Sequence, residues 1–130
     1  MGERYFVVTL GLANLIRAGI ILKTPSDVTV IGLGYVGLPL ALAFADQLPT
    51  VGFDIDSSRI EQLLDGNDRN QEVSQEIITS SSLTLTADEN SVTNADFIVV
   101  TVPTPVTEDF RPDLSLLESA SSMIGRCLRD

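Results

Sequence analysis

The chain has 130 residues, 44% hydrophobic and 20% charged, a length that suits one domain and a composition that can bury a core. Its formal net charge is -10, with Lys23 the one lysine and seven scattered arginines, so nucleic acid is not an expected partner. It has no histidine and one cysteine, Cys127, which excludes a His-based triad, a His metal site and an internal disulfide.

Residues 1–26 differ in character from residues 27–130. The run "YFVVTLGLANLIRAGIIL" is apolar but carries Asn14 and Arg17. A charge near a bilayer centre costs about 2.5–3.5 kcal/mol, so a spanning helix is not expected and no membrane partner is implied. As a signal peptide the segment is poor, because Glu3 cancels Arg4 and no small-x-small cleavage site comes after it. Two readings stay open for this leader: a further packed element, or an extended start of translation. The single cysteine fits a reducing compartment, and a cytoplasmic chain is expected.

Val28 to Ile31 is a short β-branched run ending at glycine and reads as a buried parallel strand. A helix then runs to Ala45. Pro39 is tolerated only in a first turn, which places the helix start near Tyr35 to Leu38. Thr50 to Asp54 is a second strand. Asp56 or Ser58 caps the next helix, Ser58 and Glu61 having capping-box spacing; Ile60, Leu63 and Leu64 form its inner stripe and Gly66 stops it. A short helical pattern lies around Glu72 to Ile78. Leu83 to Thr86 is a weaker third strand, with a capping-box spacing at Thr86 and Glu89 after it. "DFIVVTV", Asp96 to Val102, is the clearest strand. After the loop "PTPVTEDFRPD", Leu114, Leu117, Ser121, Ile124 and Leu128 recur at helical spacing, with Ser115 and Glu118 as a capping box. Alternating strands and helices predict an α/β fold, the first half of a Rossmann-type doubly wound parallel sheet (strand order 3-2-1-4) over residues 27–130. Such a half-sheet would leave the strand Asp96 to Val102 with one flank unpaired, an invitation to associate.

The stretch "VTVIGLGYVGLPLALAFADQLPTVGFDID" holds a G-x-G-x-x-G between that first strand and helix. The acid ending the next strand, Asp54, lies 22 positions after Gly32. Both context conditions for a dinucleotide site are thus met. Gly32 allows the tight turn, Gly34 lets a pyrophosphate approach the backbone, and Gly37 lets the helix pack close to the strand. Free N–H groups at the helix start meet the pyrophosphate. Asp54 would accept from both ribose hydroxyls and repel a 2′-phosphate, so NAD is favoured over NADP. The bland alternative is a close-packed junction without a ligand. Arg59 has three open roles: bonding the ribose region, compensating Asp54, or standing in solvent. Thr101, Pro103 and Thr104 end a strand at the switch point where such folds bind ligands, or they form a rigid exit turn.

Five segments, "VTVIGLGYVGLPLALAFA", "VGFDID..RI", "GNDR..EVS", "FIVVTVPTPV" and "RPDLSLLESASSMIG", together resemble the N-terminal NAD-binding domain of the UDP-glucose/GDP-mannose dehydrogenase family. They look most like the UDP-N-acetylglucosamine/galactosamine 6-dehydrogenases of surface-polysaccharide synthesis. The resemblance implies an NAD-dependent oxidation of a UDP-sugar C6 alcohol to the carboxylate, through a thiohemiacetal on a catalytic cysteine, by a homodimer. It puts Gly32, Gly34, Tyr35, Val36, Gly37, Asp54, Arg59 and the loop Thr101–Thr104 on the cofactor side. In the family this domain continues into a strand with a Glu-Ser-Thr segment, a central helix and a sugar domain bearing the catalytic cysteine. None of these matches this chain, and Cys127 does not fall at the nucleophile's position. No catalytic residue is therefore expected within these 130 residues. The alternative is a non-catalytic, stand-alone nucleotide-binding remnant. A short-chain dehydrogenase is disfavoured, because positions four after Tyr5 and Tyr35 hold Thr9 and Pro39 instead of lysine.

Overall fold

The computed structural model describes residues 5–6 and 25–128. The strands are β1 (Tyr5–Phe6), β2 (Val28–Ile31), β3 (Thr50–Phe53), β4 (Thr84–Thr86) and β5 (Phe97–Val100). The helices are α1 (Gly37–Ala45), α2 (Ser57–Leu64), α3 (Gln75–Ser80) and α4 (Ser115–Cys127), with a 3-10 turn at Glu89–Val92. The sheet runs β1-β5-β2-β3-β4, and every pairing is parallel. The four expected strands stand in the order 3-2-1-4.

The expectation of an unpaired flank on the last strand is corrected in part. Tyr5 pairs with Phe97 and Phe6 with Ile98, so the leader adds a fifth strand over the first half of β5. The rest of the leader lies outside the described residues.

β2 is central, and its four residues are at most 2% exposed. That is why it reads as an unbroken apolar run and not as an alternation. Val28 and Val30 face a core with Leu38, Leu42, Ile60 and Leu63 from α1 and α2. Ile31 and Phe53 face the opposite layer, with Val92 and with Ala120, Met123 and Ile124 of α4. The sheet is thus covered on both sides, and its C-terminal strand ends open into one cleft.

Of the two candidates for the cap of α2, Asp56 takes the role: its Oδ1 accepts the Ser58 and Arg59 N–H groups. Two other capping expectations change. Asp88 caps the 3-10 turn by accepting the Asn90 N–H, while Thr86 Oγ1 accepts the Asp88 N–H. α4 begins after Leu114 with no cap from its own side chain, and Asp113 accepts the Ser115 N–H. In each case a single aspartate replaces the Ser/Thr-x-x-Glu pattern, because its short carboxylate reaches the N–H at i+2 without a second partner. The inner stripe of α4 also differs: Ala120, Met123 and Ile124 are buried, whereas Leu114 and Leu128 are exposed.

Candidate functional site

The glycine loop bridges β2 and α1. Gly32 has φ +91, a backbone region in which a side chain is strained, and its N–H donates to the Phe53 carbonyl at 2.9 Å. Gly37 lies in the first turn of α1, where a Cβ would collide with the Gly32 carbonyl and with Thr101 Oγ1. Gly34 is the opposite case. A Cβ there would meet nothing within 4 Å, so the loop has room for something above it.

Between these glycines, the Leu33 peptide is held from both sides. Its N–H donates to Asp54 Oδ2 at 2.8 Å, and its carbonyl accepts from Arg59 Nε at 2.9 Å. The Leu33 side chain is fully buried and anchors the loop from below. Asp54, at the end of β3, also accepts the Asp56 N–H on Oδ1 at 3.0 Å. Each Asp54 oxygen has thereby accepted one N–H from the backbone, and each retains a lone pair for a ligand.

Arg59 is not a solvated residue. It is 1% exposed and forms an ion pair with Asp68 at 2.8 Å, both side chains being buried. Its Nη1 is buried without a hydrogen-bond partner, and its Nη2 meets Asp68 as an ion pair without hydrogen-bond alignment. Burial alone would raise the Asp68 carboxyl, but the Arg59 guanidinium and the N–H groups of Asn70, Glu72 and Val73 outweigh it and hold the carboxyl below its usual value. Asp56 is pulled down to about 2 by the Ser58 hydroxyl and then by Arg69.

At the other end of the loop, Thr101 donates its hydroxyl to the Gly32 carbonyl at 2.6 Å, and its N–H donates to the Ile31 carbonyl at 2.8 Å. Thr101 therefore ties the end of β5 to the turn that Gly32 makes. Pro103 and Thr104 come next as exposed residues.

These parts surround a cleft of about 1200 Å³ at the C-terminal ends of the strands. Gly32, Gly34, Tyr35, Val36, Asp54, Arg59, Thr101, Pro103 and Thr104 all line it. Gly37 does not; it sits beneath the loop and acts through packing. The far wall is α4, which contributes Ser115, Leu116, Ser119 and Met123. Ile55, Arg69 and Asn70 form the rim beside Asp54. Cys127 is outside: its thiol lies 3.5 Å from the Glu89 carbonyl and 4.0 Å from the Met123 sulfur.

The sequence profile of the UDP-glucose/GDP-mannose dehydrogenase family, NAD binding domain, matches residues 26–130. The chain belongs to this family. It is 44% identical over 103 residues to a UDP-N-acetyl-D-glucosamine 6-dehydrogenase of Pseudomonas aeruginosa, covering 78% of this chain and 24% of that protein. It is 38% identical over 102 residues to the protein CapL of Staphylococcus aureus, with the same two coverages, 78% and 24%. Among solved structures, a UDP-D-ManNAc dehydrogenase from Pyrococcus horikoshii superimposes with a TM-score of 0.69 at 31% identity, over 78% of this chain and 25% of that one. The chain thus spans about a quarter of the length of the relatives it matches.

The cofactor of this domain is NAD. The residues present fit it. The space above Gly34 admits a pyrophosphate, Asp54 retains acceptors for ribose hydroxyls, and the unpartnered Arg59 Nη1 offers a buried donor. Sequence reasoning missed Asp68, Arg69, Asn70 and Ile55. No periodicity marks them, since they lie in loops after β3 and α2. Among the described residues, no helix is long and apolar enough to cross a membrane, and no cluster of three His, Cys, Asp or Glu could hold a metal.

Proposed function

We propose that this chain is the NAD-holding portion of a nucleotide-sugar 6-dehydrogenase that oxidises the C6 alcohol of a UDP-N-acetylhexosamine to the uronate, in the service of surface-polysaccharide synthesis. The observation that carries the cofactor half of this reading is the cleft above Gly34, bounded by a glycine loop whose Leu33 peptide is pinned by Asp54 and Arg59. The sugar half is supported by the activities named for the relatives, two of them N-acetylhexosamine enzymes. Gly32, Gly34, Tyr35, Val36, Gly37, Asp54, Arg59, Thr101, Pro103 and Thr104 form the cofactor site. The pyrophosphate meets the Gly34 to Val36 backbone, and Asp54 with Arg59 takes the adenosine ribose. An alcohol that becomes a carboxylate loses four electrons, and NAD accepts two at a time, so two NAD are consumed for each sugar. The 130 residues by themselves hold the cofactor and do not turn over sugar, because Cys127, the one thiol, is not among the residues that line the cleft. The working form is a cytoplasmic homodimer of the longer protein.

Calorimetric titration tests the reading. The chain binds NAD, and NADP at least about tenfold more weakly, the cost of bringing a phosphate against the Asp54 carboxylate. Asp54→Ala weakens NAD binding. It also destabilises the chain by about 1–3 kcal/mol, because the Leu33 and Asp56 N–H groups lose their acceptor. Equal affinity for both dinucleotides, or unchanged affinity in the variant, would refute the ribose assignment.

A further inference from the structure

We infer that Asp68 is a positioning residue of the cofactor site: it holds the Arg59 guanidinium against the glycine loop, and acts on the ribose end of NAD binding only through Arg59. The inference rests on the NAD reading of the cleft. Asp68 itself has no capacity left for a ligand. Its Oδ1 lies 2.8 Å from Arg59 Nη2 and accepts the Asn70 N–H at 3.1 Å. Its Oδ2 accepts the Glu72 and Val73 N–H groups at 2.9 and 3.1 Å. Three backbone N–H groups and one ion-paired guanidinium nitrogen thus occupy the carboxylate inside the protein.

Arg59 is the complement. Nε is committed to the Leu33 carbonyl and Nη2 to Asp68, while Nη1 stays buried and unpartnered in a residue that lines the cleft. A buried donor is costly to leave without an acceptor, and the group that can supply one is whatever enters the cleft. A guanidinium is a rigid planar fork, so two fixed contacts determine where the third nitrogen points. Asp68 makes one of those two contacts. Without it, the guanidinium keeps a single hydrogen bond, to Leu33, and can rotate about it. The same carboxylate draws residues 70–73 into a turn, which sets Arg69 and Asn70 at the cleft rim. That second effect is structural, and the experiment has to separate it from the first.

A double-mutant cycle does so. The NAD affinity of the chain is measured by calorimetry for the unaltered protein, Asp68→Asn, Arg59→Met and the pair, and repeated with ADP-ribose, which lacks only the nicotinamide. Asp68→Asn weakens both ligands about tenfold, the worth of roughly one charge-assisted hydrogen bond. In the Arg59→Met background, Asp68→Asn has no further effect. An equal loss in both backgrounds would mean that Asp68 only shapes its loop, and would overturn the inference. Unchanged binding in Asp68→Asn would overturn it as well, while leaving the NAD reading intact. No binding by the unaltered chain would refute the NAD reading and this inference with it. If Asp68→Asn fails to fold, Asp68→Glu decides in its place. It keeps the charge, displaces the guanidinium by one methylene, and is expected to melt cooperatively while binding NAD more weakly; full affinity in that variant would overturn the proposal.

Discussion

A single peptide unit organises the site. Leu33 has its N–H taken by Asp54 and its carbonyl by Arg59, so the residues proposed for the ribose also define the loop proposed for the pyrophosphate. The three glycines of the motif divide the remaining work, and their substitution separates fold from function. Gly37→Ala puts a methyl onto the Gly32 carbonyl and destabilises the chain by roughly 1–3 kcal/mol or more, as overpacking does. Gly34→Ala adds a methyl in open space at an ordinary backbone conformation, and leaves the melting temperature nearly unchanged. That same methyl occupies the space proposed for the pyrophosphate, so NAD affinity falls about tenfold or more in a variant that folds normally. Thermal melts paired with titrations check both. A Gly34→Ala chain that still binds fully would remove the cofactor from this loop.

At the scale of elements, short aspartates supply caps without the help of a capping box. Asp56 caps α2 and Asp88 caps the 3-10 turn. The Asp56–Arg69 pair is half-exposed and adds little energy, but it holds the loop after α2 near the cleft rim. These carboxylates give the fold an acid limit. A group whose carboxyl is depressed in the folded chain contributes stability that is present above its unfolded pKa and lost as pH falls through the folded one. Asp68 is depressed and Asp56 stands at about 2. The contribution of Asp56 is therefore complete above about pH 4, the ordinary aspartate range, and fades toward about pH 2. Melting temperatures followed by circular dichroism fall across that window. Asp56→Asn flattens part of the slope, and a melting temperature independent of pH there would contradict the assignment.

For the whole molecule, the sheet edge is decisive. β5 is apolar and pairs on one side with β2 along its full length; on the other, among the described residues, it pairs with Tyr5 and Phe6 of β1. Among the described residues, Val99 and Val100 have no strand partner on that flank. Removing residues 1–24 takes away the Tyr5–Phe6 strand and opens the whole edge, so the shortened chain self-associates more strongly in sedimentation velocity than the full one. Equal sedimentation of the two would mean that β1 does not guard the edge. The net charge of -10 works against association at low salt and is screened at physiological ionic strength, so the difference between the two chains widens as salt is added.

Local chemistry was enough to read β2 and β5 as strands, the glycines as a tight strand-to-helix turn and Asp54 as the acid beside it. Each of these is written in contiguous residues: a β-branched run, a glycine with positive φ, a carboxylate one strand later. The ends of elements were less legible, because one carboxylate two residues upstream can replace a capping box without changing the helix it caps. Some features have no local signal at all. The pairing of Arg59 with Asp68, the burial that leaves Nη1 unpartnered, the α4 wall and the β1 strand on β5 all join residues that folding brings together across different elements. The sequence by itself determined the family, the strand order of the core and the glycine loop, since backbone preference and hydrophobic period act over a few residues. Only the tertiary structure decided that Arg59 is buried and held by Asp68, because desolvation and ion pairing depend on what the fold packs around a side chain and not on its neighbours in the chain.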